Sequence, residues 1–135
     1  MKTIYTFGYG GATPDDLMTH VKERRAIVVD VRYSPRSRNP DWSRKRLTER
    51  FGGRYMHVKT LGNKNFKGGP IKLHDPESAV EELAPILEKV NVILICVCKD
   101  VDKCHRKDAA EVLAEALGAE IVHLPGKGQR QPRLL

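Results

Sequence analysis

Three cysteines, a histidine and an arginine are gathered in one stretch, CVCKDVDKCHRKD, residues 96–108, which holds every cysteine of the chain. Cys104 runs straight into His105 and Arg106, and a thiol, an imidazole and a cation together are what nucleophilic thiol chemistry requires. Cys-x-Cys followed by Cys-His also offers donors to a metal, but the spacing is not that of a zinc finger, so no metal and no cofactor are assigned. A second constellation is Asp30 with Arg32, followed by Ser37 and Arg38. There Asp30 is a general base or an orienter of Arg or His, and the arginines are anion clamps. GYGG, residues 8–11, would let backbone approach a ligand at Gly8 and Gly10, yet it lacks both the dinucleotide fingerprint and the phosphate-loop lysine.

The elements that must position these residues are legible as alternating patterns. TIYTF (3–7), AIVVDV (26–31), RYMHV (54–58), VILICV (92–97) and EIVHL (120–124) read as strands, rich in Ile and Val and mostly without polar alternation, hence buried on both faces. Segments 13–25, 41–51, 75–90 and 104–118 have helical periodicity. Thr-Pro and Asp-Pro entries open the first and third, Pro85 predicts a kink, and Gly118 closes the last. Strands alternating with helices predict an α/β fold: three layers, a mainly parallel five-stranded sheet with helices on both faces, Rossmann-like. One α/β domain is expected over residues 1–125, with a basic tail at 126–135. The loop 59–75 is long enough to be a functional lid.

Composition narrows the class. The 135 residues suffice for one core without disulfides, and 40% apolar with 30% charged is a globular balance. No apolar run approaches a membrane span and no secretory signal is evident, so a cytoplasmic protein with no membrane partner is expected. An odd number of cysteines agrees with a reducing compartment. The net charge of +7 favours anionic partners, a small molecule or nucleic acid. It is concentrated between residues 32 and 50, where Arg32, Arg36, Arg38, Arg44, Lys45, Arg46 and Arg50 face only Asp41 and Glu49. Tyr33 and Trp42 among those arginines suggest base stacking, although Trp42 would serve equally to anchor its helix.

TFGYGG, VVDVRYSPRSRNPDW, RYMHVKTLG and ILICVCKDVDKCHRKD, in that order, resemble the domain of unknown function 488 family over nearly the whole chain. The matching positions are Gly8; Asp30, Arg32, Pro35, Ser37 and Arg38; His57, Leu61 and Gly62; and Cys96, Cys104, His105 and Arg106. The resemblance implies a fold and a site more than a reaction. This chain departs from the family at Gly10, where a Ser is frequent, and at Cys98, where an acid is frequent.

Ligands of open α/β sheets bind beyond the carboxyl ends of the strands, so the loops after the first four strands should share one crevice. Cys96 and Cys98 point the same way, Cys96 as a small buried hydrophobe. Cys104 and His105 should lie in the first turn of the last helix, capped by Asp102. The helix N-terminus and Arg106 there lower the thiol pKa below roughly 8.5. The expectation is an enzyme for a phosphate- or nucleotide-containing substrate. In it Cys104, His105 and Asp30 are catalytic, and Gly8, Gly10, Arg32, Ser37, Arg38 and Arg106 hold the anion. The alternatives are a nucleic-acid-binding module and a structural or metal-binding cysteine site. In the structural version Arg106 pairs with Asp30 and ties the second strand to the last helix.

Overall fold

A computed structural model describes residues 2–35, 37–98 and 104–125. The proposed tail at 126–135 and the proposed cap Asp102 lie outside these residues. The five strands are β1 (Ile4–Gly8), β2 (Ala26–Asp30), β3 (Tyr55–His57), β4 (Asn91–Cys96) and β5 (Ile121–His123). All pairings are parallel, in the order β3-β2-β4-β1-β5. The layers and the all-parallel sheet are those expected. β4 takes the centre, whereas nucleotide-binding Rossmann sheets place β1 beside β2.

The helices are α1 (Pro14–Arg24), α2 (Arg44–Phe51), α3 (Pro76–Leu87) and α4 (His105–Leu117). The first three begin where the sequence supplies a side-chain cap, whereas the N-cap of α4, Cys104, makes no side-chain cap bond. At α1 the Thr13 hydroxyl accepts from the Asp16 N–H while the Asp16 carboxylate accepts from the Thr13 N–H. Ser43 caps α2 and Asp75 caps α3. Gly118, at φ 70°, ends α4 in the left-handed conformation glycine tolerates. The segment expected as one helix over 41–51 is instead a 3-10 turn, Pro40–Trp42, and then α2. Ser43 is extended between them because its hydroxyl serves as the α2 cap.

Strand period two sends alternate side chains to opposite faces. Phe7, Val28, Ile93 and Ile95 pack with Leu17 and Val21 of α1 and Leu47 and Phe51 of α2. Ile4, Val29, Val92 and Leu94 pack on the other side with Leu83 and Leu87 of α3 and Leu113 of α4. Each such fully buried Leu, Ile or Val contributes roughly 1.5–3 kcal/mol. The chain therefore leaves β1 and β2 toward one face and leaves β3 and β4 toward the other. Flanked by β1 and β2, the carboxyl end of β4 is where a crevice opens. No helix among the described residues is long and apolar enough to cross a membrane.

Candidate functional site

At the end of β2 the Asp30 carboxylate is wholly buried and accepts from the Arg32 backbone N–H, Arg32 Nε, Arg32 Nη2 and Tyr55 Oη. Arg32 Nη1 donates to Tyr9 Oη, whose ring stacks on buried Trp42 at 4.3 Å. Burial raises the Tyr9 and Tyr55 pKa values, and at Tyr55 the adjacent Asp30 charge adds to it. Both phenols therefore keep their protons at ordinary pH, Tyr55 donating and Tyr9 accepting.

Two histidines hold the same segment from opposite sides. His57 Nε2 donates to the Arg32 carbonyl at 2.7 Å, and His105 Nε2 donates to the Val31 carbonyl at 2.6 Å. Because a carbonyl only accepts, a proton of His105 is on Nε2, and in the neutral ring Nδ1 carries a lone pair. That lone pair faces Cys96 Sγ at 3.7 Å.

Cys104 is the N-cap of α4 and His105 its first residue, so the thiol belongs to the cap rather than to the first turn. α4 packs on the face to which Cys96 points, and this returns Cys104 to the end of β4. The Sγ atoms of Cys96 and Cys104 and one nitrogen of His105 lie within 4.8 Å of one another, all buried. The Cys98 thiol hydrogen-bonds within the same group, and the three cysteines are free thiols. Hydrogen bonds from the Cys96 and Cys98 thiols hold Cys104 well below the usual thiol range. By donating to Cys104, Cys96 is pushed up to about 12, and Cys98 is raised for the same reason. For His105, burial disfavours the charged form, but hydrogen bonds to Cys104 and the Val31 carbonyl outweigh it and raise its pKa.

Above the cluster is a cavity of about 680 Å³. Cys96, Cys98 and His105 are on one side of it, and Tyr9, Arg32, Tyr33, Ser37 and Arg38 come from the β1 and β2 loops. The long loop after β3 supplies the remaining wall with Asn63, Asn65, Phe66, Lys67 and Ile71. This loop is folded on itself. Asn63 pairs with Leu73, the Asn63 side chain accepts from the N–H groups of Asn65 and Lys72, and Asn65 Nδ2 donates to the Pro70 carbonyl. Tyr33 stacks on Phe66 at 5.7 Å, meets His74 edge-on, and has the Lys59 ammonium over its ring.

The expected site residues therefore separate. Cys96, Cys98, His105, Ser37 and Arg38 line one space with Arg32, while Cys104 lies behind them, 1% exposed and off the cavity wall. Asp30, expected as a base, has its carboxylate filled by four donors and acts as the orienter of Arg32. Arg106 does not bridge to Asp30. Its guanidinium is buried and donates to the Cys98 carbonyl. Gly8 serves that same close approach rather than a ligand, since a Cβ there would meet the Cys98 carbonyl oxygen at 1.8 Å. Gly10 donates its N–H to the Val97 carbonyl and is not on the cavity wall. Trp42 is core and cannot stack on a base.

Sequence reasoning missed Tyr9 and Tyr55, and it read the loop 59–75 as a lid without singling out the residues of it that line the cavity. The signal of this arm, residues 63–71, was the length of that loop.

No curated protein and no solved structure matches the chain. A family model described as "Domain of unknown function DUF488" matches residues 17–113, a span that includes Asp30, Arg32, Arg38 and the whole thiol–histidine cluster, and the chain belongs to that family.

Proposed function

We propose that the protein is an enzyme that takes an anionic, phosphate-containing small molecule into this cavity and presents its reactive end to the thiol–histidine cluster. The observation that carries the reading is the continuity of the cavity, with Arg38, Ser37 and Lys67 along its wall and Cys96, Cys98 and His105 at its end. Its volume is in the range of cofactor- and substrate-sized sites, roughly 300–1,000 Å³. Arg38 is exposed and gives a fork of donors suited to phosphate. Arg32 contributes mainly position, because Asp30 neutralises its charge and Nε, Nη1 and Nη2 already donate. Tyr33 and Phe66 offer an apolar wall against which a nucleoside or other flat group would lie. His105 Nδ1 and the thiols are the groups able to accept a proton or attack.

The test is the thermal stability of the full chain with inorganic phosphate and with nucleoside phosphates. A concentration-dependent rise that is absent in Arg38→Ala is the expected result. No response to any of these anions would overturn the reading. Binding of a single-stranded oligonucleotide that survives Arg38→Ala but fails in Arg44→Ala/Lys45→Ala/Arg46→Ala would transfer the function to the exposed face of α2 and make the protein a nucleic-acid binder.

A further inference from the structure

From the geometry of the cluster we infer that Cys96, Cys104 and His105 form a binding site for a thiophilic divalent cation, zinc or ferrous iron, with the last coordination position open to the cavity. Three features of the cluster point there. The first is the donor set: two sulfurs and an imidazole nitrogen within 4.8 Å of one another, all buried, with no carboxylate among them. Hard cations such as magnesium and calcium require oxygen donors, so this set selects soft and borderline metals.

The second is spacing. Zinc bonds of about 2.3 Å to sulfur and about 2.0–2.1 Å to nitrogen, at tetrahedral angles, put sulfur and nitrogen about 3.6 Å apart. Cys96 Sγ and His105 Nδ1 are 3.7 Å apart.

The third is the orientation of the ring. Metal-bound histidines almost always donate their other N–H to a carbonyl or carboxylate, which fixes the tautomer and aims the lone pair. His105 Nε2 makes that bond to the Val31 carbonyl at 2.6 Å and leaves Nδ1 turned to the thiols. Val31 is in turn fastened to the sheet by its N–H, which donates to the Ile95 carbonyl.

Cys96 and His105 are on the cavity wall while Cys104 is behind them, so the three donors close the inner side of the site and leave its outer side to the cavity. Cys98, half-buried, flanks that outer side. Three protein ligands and one open position is the arrangement of catalytic rather than structural zinc. The inference rests on the proposed cavity only for what would fill the open position.

Untagged full-length protein prepared without chelators is expected to carry about one equivalent of zinc or iron by elemental analysis. Cobalt replacing it should show sulfur-to-metal charge-transfer absorption. His105→Ala and Cys104→Ser should lose the metal, and Cys98→Ser should keep it. Because the first two variants can fail to fold, the parent chain supplies a second measurement: after metal removal, competition with a chromophoric chelator should report uptake of one zinc ion. Parent protein that takes up no zinc and leaves all three thiols open to alkylation in its presence would overturn the site. Loss of metal in folded Cys98→Ser would overturn the open position, because the fourth ligand would then be a protein thiolate. A phosphate response without metal uptake leaves the cavity reading standing, and metal uptake without any anion response does the reverse.

Discussion

Two buried polar groups stand side by side at the carboxyl edge of the sheet, and they differ in what their atoms are doing. Around Asp30 each donor meets an acceptor: the carboxylate takes two Arg32 side-chain bonds, one backbone bond and the Tyr55 hydroxyl, and the remaining side of Arg32 reaches Tyr9. Around Cys96 the bonds are weaker. Thiols, weak donors and weak acceptors, meet one another and a histidine nitrogen, with Cys96 Sγ 3.7 Å from His105 Nδ1. The first group is saturated and rigid, which is what a scaffold needs. The second keeps its capacity to bind or react, and the first holds it in position through the shared segment Val31–Arg32, gripped by His57 and His105.

The most severe way to break this contrast is to remove Asp30. Asp30→Ala would leave Arg32 buried without its counter-charge and Tyr55 without an acceptor, a loss of about 3–5 kcal/mol by urea denaturation. Asp30→Leu/Arg32→Met should recover most of it, since apolar replacement of a whole buried pair is often nearly neutral. If Asp30→Ala is as stable as the parent, the network does not perform the structural role given to it. Tyr55→Phe is milder. It removes one hydrogen bond to a charged acceptor, worth about 1.5–3 kcal/mol, and should leave anion binding intact.

The strands were readable because dense Ile and Val runs without alternation have one stable home, the centre of a parallel sheet. The helices were readable because Thr13, Asp75 and Gly118 mark their ends. The pairing of Asp30 was not readable, because two arginines competed for it in the sequence. The near one wins: Arg32 folds back over the last residue of β2. The sequence also seemed to divide the cysteines between a strand and a helix. Their reunion depends on α4 crossing the face to which Cys96 points, a tertiary fact that period-two reasoning states only once the face of α4 is known. The arm 63–71 was visible as a long loop, but its part in the cavity wall arises from Asn63 and Asn65 folding it on itself, and nothing in local propensity specifies that.

Gly8→Ala tests the packing that fixes the end of β4. The added methyl group meets the Cys98 carbonyl oxygen, which Arg106 also requires, so the end of β4 must move. Overpacking of this kind costs about 1–3 kcal/mol. The sharper readout is the thiol cluster: alkylation of Cys98 should accelerate in Gly8→Ala while the Asp30 carboxylate on β2 keeps its donors. Equal alkylation rates would mean that the carbonyl position does not set the thiol geometry.

The smallest expected change in stability is the most informative about function. Arg38 is exposed on the cavity wall, so Arg38→Ala should alter unfolding free energy by no more than about 0.5 kcal/mol. Arg32, by contrast, is 5% exposed and held by Asp30, so its truncation should behave like that of a core residue. Two arginines six residues apart thus differ in placement, one held in the fold by Asp30 and the other facing the cavity. Arg38→Lys separates charge from geometry. It keeps the attraction but loses the bidentate fork, so phosphate binding should weaken without vanishing and its sensitivity to salt should persist. If Arg38→Lys binds phosphate as the parent does, the cavity recognises charge alone. If Arg32→Lys proves harmless to stability, the division between a saturated scaffold and an open site fails at the residue where it was drawn most firmly.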